Sequence, residues 1–258
     1  MSELIFLGTG GSVATVERDN TSFLLKHGKT LILVDCPGSV TQKIKKVLCS
    51  PSQVSSILIT HIHPDHVYGL PSFIHSLMLE DVSIQLYGSK ETIDFCRKLL
   101  DLFCLFEKEI RVRVEFHALP PGQKVKINDS LEIDVFRVPH NSSSLAFHFS
   151  FRDEGKELLY SGDTPLDSFL FEEAEEGDFL LHDCSAPSRF FRMYPSLRTM
   201  HTDSLELGRY AQQARVKCLI PCHFFGELEF ALTEIEEEIR SNYTGRLIIP
   251  SDLGRIPL

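Results

Sequence analysis

The chain has 258 residues, of which 43% are hydrophobic and 24% are charged, and its formal net charge is -10. A chain of this length and composition can bury a large core, which excludes an intrinsically disordered protein. Its 36 acidic residues outnumber its 26 basic ones. This balance argues against a protein that holds nucleic acid by broad electrostatic attraction, because such binding depends on clustered lysine and arginine.

The sequence shows no signal for secretion or membrane insertion. The opening residues MSELIFLGTG lack a charged region followed by an apolar stretch and a cleavage site. No apolar stretch approaches the roughly 20 residues of a membrane helix. We therefore expect a cytoplasmic protein with no membrane partner, whose seven cysteines are mostly buried thiols. Cys218 and Cys222 are interpreted as packing residues rather than as a metal-binding pair.

Short aliphatic and β-branched runs alternate with helical patterns along the chain. The predicted strands, in order, are ELIFLG, SFLLKHGKTLILVD, VSSILITH, VSIQLYG, RVEFHAL, LEIDVFRVPH, LAFHFSF, KELLYSGD, FLLHDCS, KCLIPCH and GRLIIPSD. The predicted helices cover residues 40–48, 71–79, 89–106, 203–215 and 228–241. Both halves of the chain contain such a series, which favours an α/β architecture with two sheets packed face to face and helices outside. Because no linker separates the halves, we predict one domain over residues 1–258.

A cluster of metal-binding side chains follows the apolar run VSSILIT. The sequence HIHPDH places His61, His63, Asp65 and His66 within six positions, and imidazole nitrogens and carboxylate oxygens are the ligands that zinc prefers. Pro64 fixes its own backbone and favours extended geometry at His63, so we expect the four residues on a loop rather than a helix face. A polar loop that is merely rich in histidine is the alternative.

Three further candidates stand at the ends of predicted strands. His140 ends LEIDVFRVPH, Asp163 ends KELLYSGD and His223 ends KCLIPCH. Taken singly, each histidine could be structural, and Asp163 could be the N-cap of the next helix. Functional side chains gather at the carboxyl ends of strands in α/β sheets, so their shared placement predicts one site.

The pattern HxHxDH, followed by these three residues in the order His, Asp, His, resembles the metallo-β-lactamase superfamily. The segments FLGTGGS, ERDNTSFLL, LVDCPGSVTQKI, HVYGLPSF, YSGDT and HDCS are similar to the branch that contains ribonuclease Z and the phosphoribosyl cyclic phosphate phosphodiesterases. The resemblance covers nearly the whole chain. A β-lactamase proper matches poorly, because such enzymes usually carry cysteine where Asp163 stands. The resemblance implies an αββα four-layer sandwich, the metallo-β-lactamase fold.

The resemblance also implies two divalent metal ions about 3.5 to 4 Å apart, zinc above all, with manganese or iron as alternatives. His61, His63 and His140 would hold one ion, Asp65, His66 and His223 the other, and Asp163 would bridge them. A hydroxide shared by the two ions would be the nucleophile. Asp65 is expected to be catalytic as well as a ligand.

A proton donor and a phosphate-binding loop complete the expected site. In the same branch, a histidine at the position of His201 protonates the leaving group and is supported by an acidic residue like Asp183. Between these two residues, Arg189 and Arg192 are candidates for binding a substrate phosphate, since arginine matches phosphate geometry. Solvent-facing charge is the alternative for both arginines. The glycine-rich GTGGS at residues 8–12 lacks the spacing of a dinucleotide loop and is predicted to be a tight turn near the metals.

The sequence also departs from ribonuclease Z. Those enzymes usually carry an arm that grips tRNA, where this chain has only about RDEG between two strands. Their last histidine motif commonly continues to arginine and tyrosine, whereas this chain reads CHFFGELEF. We therefore expect a phosphodiesterase that acts on a small phosphodiester. The residues leave the oligomeric state open, and the resemblance implies a homodimer because this branch often forms dimers. The alternatives are a tRNA 3'-processing endoribonuclease with RNA as substrate, a thioester or lactone hydrolase, and a non-catalytic binding module.

Overall fold

A computed structural model describes all 258 residues, which divide into two compact units. The first unit comprises Met1–Thr9, Val16–Pro120 and Ser251–Leu258, and the second comprises Gly10–Thr15 and Pro121–Pro250. Each unit contains one seven-stranded sheet. A single domain over residues 1–258 stays a prediction.

The strands carry the apolar and β-branched runs of the sequence, as their propensities require. They are β1 (Ser2–Gly8), β2 (Ser22–His27), β3 (Thr30–Val34), β4 (Ser56–Leu58), β5 (Ser83–Gly88), β6 (Arg113–Ala118), β7 (Lys124–Lys126), β8 (Leu131–Arg137), β9 (Leu145–Phe151), β10 (Lys156–Tyr160), β11 (Phe179–Asp183), β12 (Cys218–Cys222), β13 (Arg246–Leu247) and β14 (Arg255–Pro257).

The helices are mostly short, and each buries at least one apolar side chain. They are α1 (Val40–Lys46), α2 (Pro64–Val67), α3 (Leu70–His75), α4 (Lys90–Leu102), α5 (Ser168–Glu173), α6 (Ser188–Met193), α7 (Ser204–Gln213) and α8 (Leu232–Arg240). Two segments, Pro51–Gln53 and Pro195–Thr199, form 3₁₀ turns. Side-chain oxygens of Ser89, Asp167 and Asp203 accept hydrogen bonds at the starts of α4, α5 and α7, which satisfies amide groups that would otherwise lack a partner.

The sheet of the first unit has the strand order β14-β1-β2-β3-β4-β5-β6. Strands β3 to β6 pair in parallel, whereas β14, β1, β2 and β3 pair antiparallel. Because parallel strands leave a sheet at the same edge, the residues that follow β3 and β4 come together. Asp35 follows β3, and the HIHPDH cluster follows β4.

The sheet of the second unit has the strand order β13-β12-β11-β10-β9-β8-β7. Strands β10 to β13 pair in parallel. Strand β9 is antiparallel to both β8 and β10, so β8 runs in the same direction as the parallel group. The carboxyl ends of β8, β10, β11 and β12 therefore share one edge, where His140, Asp163, Asp183 and His223 lie.

Each unit has its own hydrophobic core. In the first, Leu33 and Ile57 of the sheet pack in one cluster with Phe73 of α3. In the second, Leu180 and Leu219 of the sheet cluster with buried residues of α7 and α8. A fully buried side chain of this size contributes about 1.5–3 kcal/mol, so these contacts fix the strands whose ends carry the site.

The predicted elements are confirmed in type, with slightly shorter helices. No sequence pattern predicted the short helices α2, α5 and α6, or the strands β7 and β14, which are three residues long and contain lysine or proline. Strands of three residues and helices of one or two turns are too short to show a hydrophobic periodicity.

None of the helices combines the length and the apolar character that crossing a membrane would require. Five of the seven cysteines, Cys218 and Cys222 among them, are buried, and none forms a disulfide. The expectation that the cysteines are mostly core thiols is confirmed.

Candidate metal centre

Four predicted ligands, His61, His63, Asp65 and His66, form the first ligand group, which belongs to the first unit. His61 and His66 are fully buried. The prediction that all four lie on a loop is wrong for Asp65 and His66, which lie in the single turn of α2. Pro64 begins this turn at its first position, where the missing N–H costs nothing and the fixed φ suits a helix.

A buried aspartate, Asp35, supports the first ligand group. Its Oδ2 lies 2.8 Å from Nδ1 of His66, and its Oδ1 accepts hydrogen bonds from the amide and hydroxyl of Thr60 at 2.8 and 3.0 Å. The same hydroxyl lies 3.0 Å from Nδ1 of His61. Burial raises the pKa of Asp35, and the neighbouring His66 opposes that rise. Asp35 thus orients the His66 ring directly and the His61 ring through Thr60.

The second ligand group consists of His140, Asp163 and His223 in the second unit. Oδ2 of Asp163 lies 3.1 Å from Nε2 of His223 and 4.0 Å from Nε2 of His140. The three side chains are at most 3% exposed. Nδ1 of His140 lies 2.8 Å from the carbonyl oxygen of Met200. Asp163 does not cap a helix, since Asp167 is the N-cap of α5.

The hydrogen bonds at Nδ1 show that the donor set suits a metal ion. A carbonyl oxygen only accepts, so Nδ1 of His140 carries the hydrogen that it donates to Met200. In a neutral imidazole, Nε2 then holds a lone pair that faces the carboxylate of Asp163. Two electron-rich atoms that face each other 4.0 Å apart suit a cation between them.

The distances between donor atoms also agree with metal binding. Ligand atoms bound to one tetrahedral zinc at 2.0–2.1 Å lie roughly 3.3 Å apart. Nε2 of His66 is 3.3 Å from Oδ2 of Asp65 in the first group, and Nε2 of His223 is 3.1 Å from Oδ2 of Asp163 in the second. The residues present in each unit therefore fit a divalent metal ion.

The predicted proton donor lies beside the second ligand group. Nδ1 of His201 is 2.8 Å from Oδ2 of Asp183, and the His201 ring stacks on that of His223 with centroids 5.2 Å apart. One ring nitrogen of His201 lies within 4.8 Å of the ligand atoms of His140 and Asp163. His201 is 8% exposed, so its ring is close to the predicted ligands and keeps only a small accessible surface.

The two predicted phosphate-binding arginines differ in their surroundings. Arg189 donates from Nε to Glu234 at 2.6 Å and from Nη2 to the carbonyl of Glu229 at 3.0 Å. Arg192 is exposed and donates to the neutral hydroxyl of Ser188 at 2.9 Å. A substrate phosphate would compete with a carboxylate at Arg189 but not at Arg192. Phosphate binding by either stays a prediction.

The glycine-rich turn lies next to His223, as predicted. The amide of Gly11 donates to the carbonyl of Phe224 at 2.7 Å. A Cβ on Gly11 would lie only 2.8 Å from the Phe225 ring, so a glycine is needed for this approach. His223 itself has a φ of 66°, a left-handed conformation that is uncommon outside glycine and often found at functional sites.

Comparisons with known proteins agree with this geometry. The family model described as anti-Pycsar protein Apyc1 matches residues 2–224. A ribonuclease Z of Pyrococcus horikoshii is 30% identical over 307 aligned positions, which cover 100% of this chain and 96% of that protein. A ribonuclease Z of Thermococcus sibiricus is 33% identical over 157 residues, which cover 60% of this chain and 49% of that protein. The chain thus spans about half the length of the first curated relatives that it matches.

The chain belongs to the anti-Pycsar protein Apyc1 family, in the ribonuclease Z-like branch of the metallo-β-lactamase superfamily. Among solved structures, the metallo-β-lactamase fold protein YhfI of Bacillus subtilis is similar with a TM-score of 0.84 and 18% identity, and the match covers 100% of both chains. The expected metallo-β-lactamase fold and the expected family are confirmed.

Sequence reasoning missed three groups of this Apyc1-family site: Asp35, Thr60 and the carbonyl of Met200. Asp35 stands at the end of the apolar run TLILV, the same signal that identified Asp163. That signal could have found it. No sequence pattern marks the carbonyl of Met200, because every residue has a carbonyl group.

Proposed function

We propose that the chain is a metal-dependent hydrolase of phosphodiester bonds that binds two divalent metal ions, zinc above all, with manganese or iron as alternatives. Support comes from the buried mixture of imidazole and carboxylate donors, which suits zinc, and from membership of the family. The proposed ligands are His61, His63, Asp65, His66, His140, Asp163 and His223.

When bound, such ions supply an ionised water at neutral pH and neutralise charge on a phosphoryl group. The chain's own residues hold and orient the donors. Asp35 and the carbonyl of Met200 fix the rings of His66 and His140 through Nδ1, which leaves Nε2 as the ligand atom. Asp163 lies near Nε2 of both His140 and His223, in keeping with a carboxylate that two ions share.

We propose that His201 delivers the proton that the leaving oxygen needs. Asp183 accepts from Nδ1 of His201 and is itself held by the hydroxyl of Ser185 at 2.7 Å and the amide of Thr164 at 3.1 Å. A carboxylate fixed in this way sets the plane of the ring, so Nε2 is the nitrogen that faces a substrate. A positioned donor contributes roughly 10² to 10⁴ in rate.

A small phosphodiester is the proposed substrate. Only four residues, 152–155, connect β9 to β10, where the tRNA-gripping arm of ribonuclease Z would be inserted, and the net charge of -10 does not favour a polyanion. RNA processing is the second candidate, because the Pyrococcus horikoshii relative, which the chain covers almost completely, is a ribonuclease Z. RNA processing is favoured by the sequence similarity to that relative and not by the geometry of this site.

The contact of His201 with Asp183 beside the second ligand group carries the proposal, because a module that only binds needs no proton donor there. Protein loaded with zinc or manganese should be assayed on bis(p-nitrophenyl) phosphate, a set of cyclic and linear phosphodiesters, a thioester, a lactone and a precursor tRNA. We expect turnover of small phosphodiesters.

Each other outcome has a definite meaning. Turnover of the thioester or lactone alone would overturn phosphodiester hydrolysis, and turnover of precursor tRNA alone would favour the second candidate. Fewer than about one metal ion per chain, with no turnover of any substrate, would identify a non-catalytic module.

We also propose that the chain forms a homodimer in the cytoplasm. The end of α4 exposes Leu102, Phe103 and Phe106, with charges of both signs beside them at Asp101 and Lys108. An apolar patch flanked by both signs is compatible with a second copy of itself. The five buried thiols are in keeping with a reducing compartment. Light scattering should give the mass of two chains, and of one chain for Leu102→Arg.

A further inference from the structure

The segment that carries His201 runs from the end of β11 to the start of α7 and contains α6 and a 3₁₀ turn. No strand pairing holds its middle. The amide of His201 bonds only to the carbonyl of Leu197 in the same segment. Asp183 binds the His201 ring directly, and Met200 and Thr202 on either side of it bind His140 and Thr164. The way the two ends of the segment are held is a further determinant of where the ring lies.

One carboxylate, that of Glu238 in α8, holds both ends. Its Oε2 accepts from the amide of Ser188 at 2.8 Å, and its Oε1 accepts from the Ser188 hydroxyl at 2.6 Å. Its Oε2 also accepts from the hydroxyl of Ser204. Ser188 is the first residue of α6 and Ser204 the first of α7, so Glu238 joins the two points between which His201 lies.

The surroundings of Glu238 suit this task. Ser188 and Ser204 are buried, and hydrogen bonds to an ionised acceptor are about twice as strong as neutral ones. One turn earlier on α8, Glu234 binds Arg189 of α6, which adds a second contact between the same helices. The other ties of the segment act near His201 itself, such as Arg198 to Asp203 at 3.3 Å.

We propose that Glu238 is a positioning residue for catalysis: by clamping both ends of the segment 188–204, it acts together with Asp183 to set the place of His201. This rests on the proposed function, in which His201 is the proton donor. Glu238 touches no predicted metal ligand among its hydrogen-bond partners, so its effect passes through the segment rather than through the metals.

The first test compares leaving groups at saturating manganese. Glu238→Ala should lower kcat on diphenyl phosphate by roughly 10- to 100-fold, the range for residues that orient a functional group. The loss on bis(p-nitrophenyl) phosphate should be much smaller, because its leaving group needs little proton donation. KM should change little. Glu236→Ala, an exposed glutamate on the same helix, is the matched control and should match wild type.

A conservative variant separates geometry from charge. Glu238→Gln keeps an oxygen for two of the three donors, and the Ser188 hydroxyl can turn to accept from the new amide. Glu238→Gln should therefore recover most of the lost rate. In a His201→Ala background, Glu238→Ala should cost less than about twofold. An equal loss in both backgrounds would show a general structural role and overturn the proposal.

Hydrogen exchange tests the clamp without any activity. Peptides covering residues 189–202 should exchange faster in Glu238→Ala than in wild type and in Glu236→Ala. If wild type hydrolyses no phosphodiester, the proposed function fails, while exchange still decides the clamp. Unchanged exchange in Glu238→Ala would overturn the proposed clamp. Should Glu238→Ala not fold, Ser204→Ala removes one contact and must show the same pattern at smaller size.

Discussion

The two ligand groups reach similar arrangements by different routes. The first takes its members from six consecutive positions, and a side chain, Asp35, orients it. The second takes its members from the ends of three strands, 83 residues apart at the extremes, and a main-chain carbonyl, that of Met200, orients His140. Each group involves one residue with a left-handed backbone: Asp35 beside the first group and His223 within the second.

This difference decides which substitutions can remove the contact that orients the ligands of each group. A side-chain support is lost by one substitution, whereas a carbonyl survives any substitution that preserves the backbone. Local strain of roughly 1–3 kcal/mol at a left-handed residue persists only where the surroundings enforce it. The parallel strands that end at Asp35 and His223 provide those surroundings.

The largest effect is expected from the second group. Asp163→Asn removes the carboxylate that lies near two histidines. Activity should fall by more than the roughly 100-fold that loss of an orienting residue causes, and the metal content of purified protein should fall with it. Both are measured by phosphodiester assay and by elemental analysis. Normal metal content and rate would show that Asp163 is not a ligand.

Removal of the proposed proton donor, His201, should leave the metal content of the protein unchanged. His201→Ala should lower kcat on diphenyl phosphate by roughly 10²-fold or more, while turnover of bis(p-nitrophenyl) phosphate and the metal content stay near wild type. Equal loss on both substrates would contradict an acid role.

The metal affinity of the first group should depend on the side chain of Asp35, which orients its histidines. Asp35→Asn keeps the shape but loses the charge beside His66, and should weaken metal affinity by roughly 10- to 100-fold. Titration of the metal-free protein with zinc and a competing chelator measures this.

Met200→Leu is the matched control in the second group, because it leaves the carbonyl in place. Its metal affinity should stay within about twofold of wild type. A larger loss in Met200→Leu than in Asp35→Asn would reverse the contrast between side-chain and main-chain support.

Smaller effects are expected at the arginines. Arg192→Ala should raise KM for small phosphodiesters several-fold, on the order of one charge-assisted hydrogen bond, whereas Arg189→Ala should change KM less because Glu234 already binds that guanidinium. Steady-state kinetics decide between the two. If both variants have the same KM as wild type, neither arginine binds the substrate phosphate.

The smallest expected effect is the chemical labelling of the cysteine thiols. Burial raises the pKa of Cys96 to about 12 and that of Cys36 and Cys184 well above its usual value. Since only the thiolate reacts, a thiol reagent at neutral pH should label at most Cys49 and Cys104 in the native chain and all seven cysteines after unfolding. Fast labelling of a third cysteine would contradict the buried cores.

The sequence predicted the strands, the main helices and the strand ends that carry the candidate ligands, because apolar runs and the polar residue that ends each of them can be read directly from the sequence. The turn at α2 was missed because four residues have no period. Asp35 received no role because the pairing of β3 with β4, which brings Asp35 to His66, is a tertiary contact. The clamp at Glu238 joins residues 50 and 34 positions away, and no local pattern records such a distance.

The central claim is that seven side chains hold two divalent ions. Crystals grown with zinc and measured at the zinc absorption edge test it most directly. We expect two strong anomalous peaks, one bound by His61, His63 and His140 and the other by Asp65, His66 and His223, with Asp163 in contact with both. Peaks located only away from these residues, or no peak at all, would contradict the account.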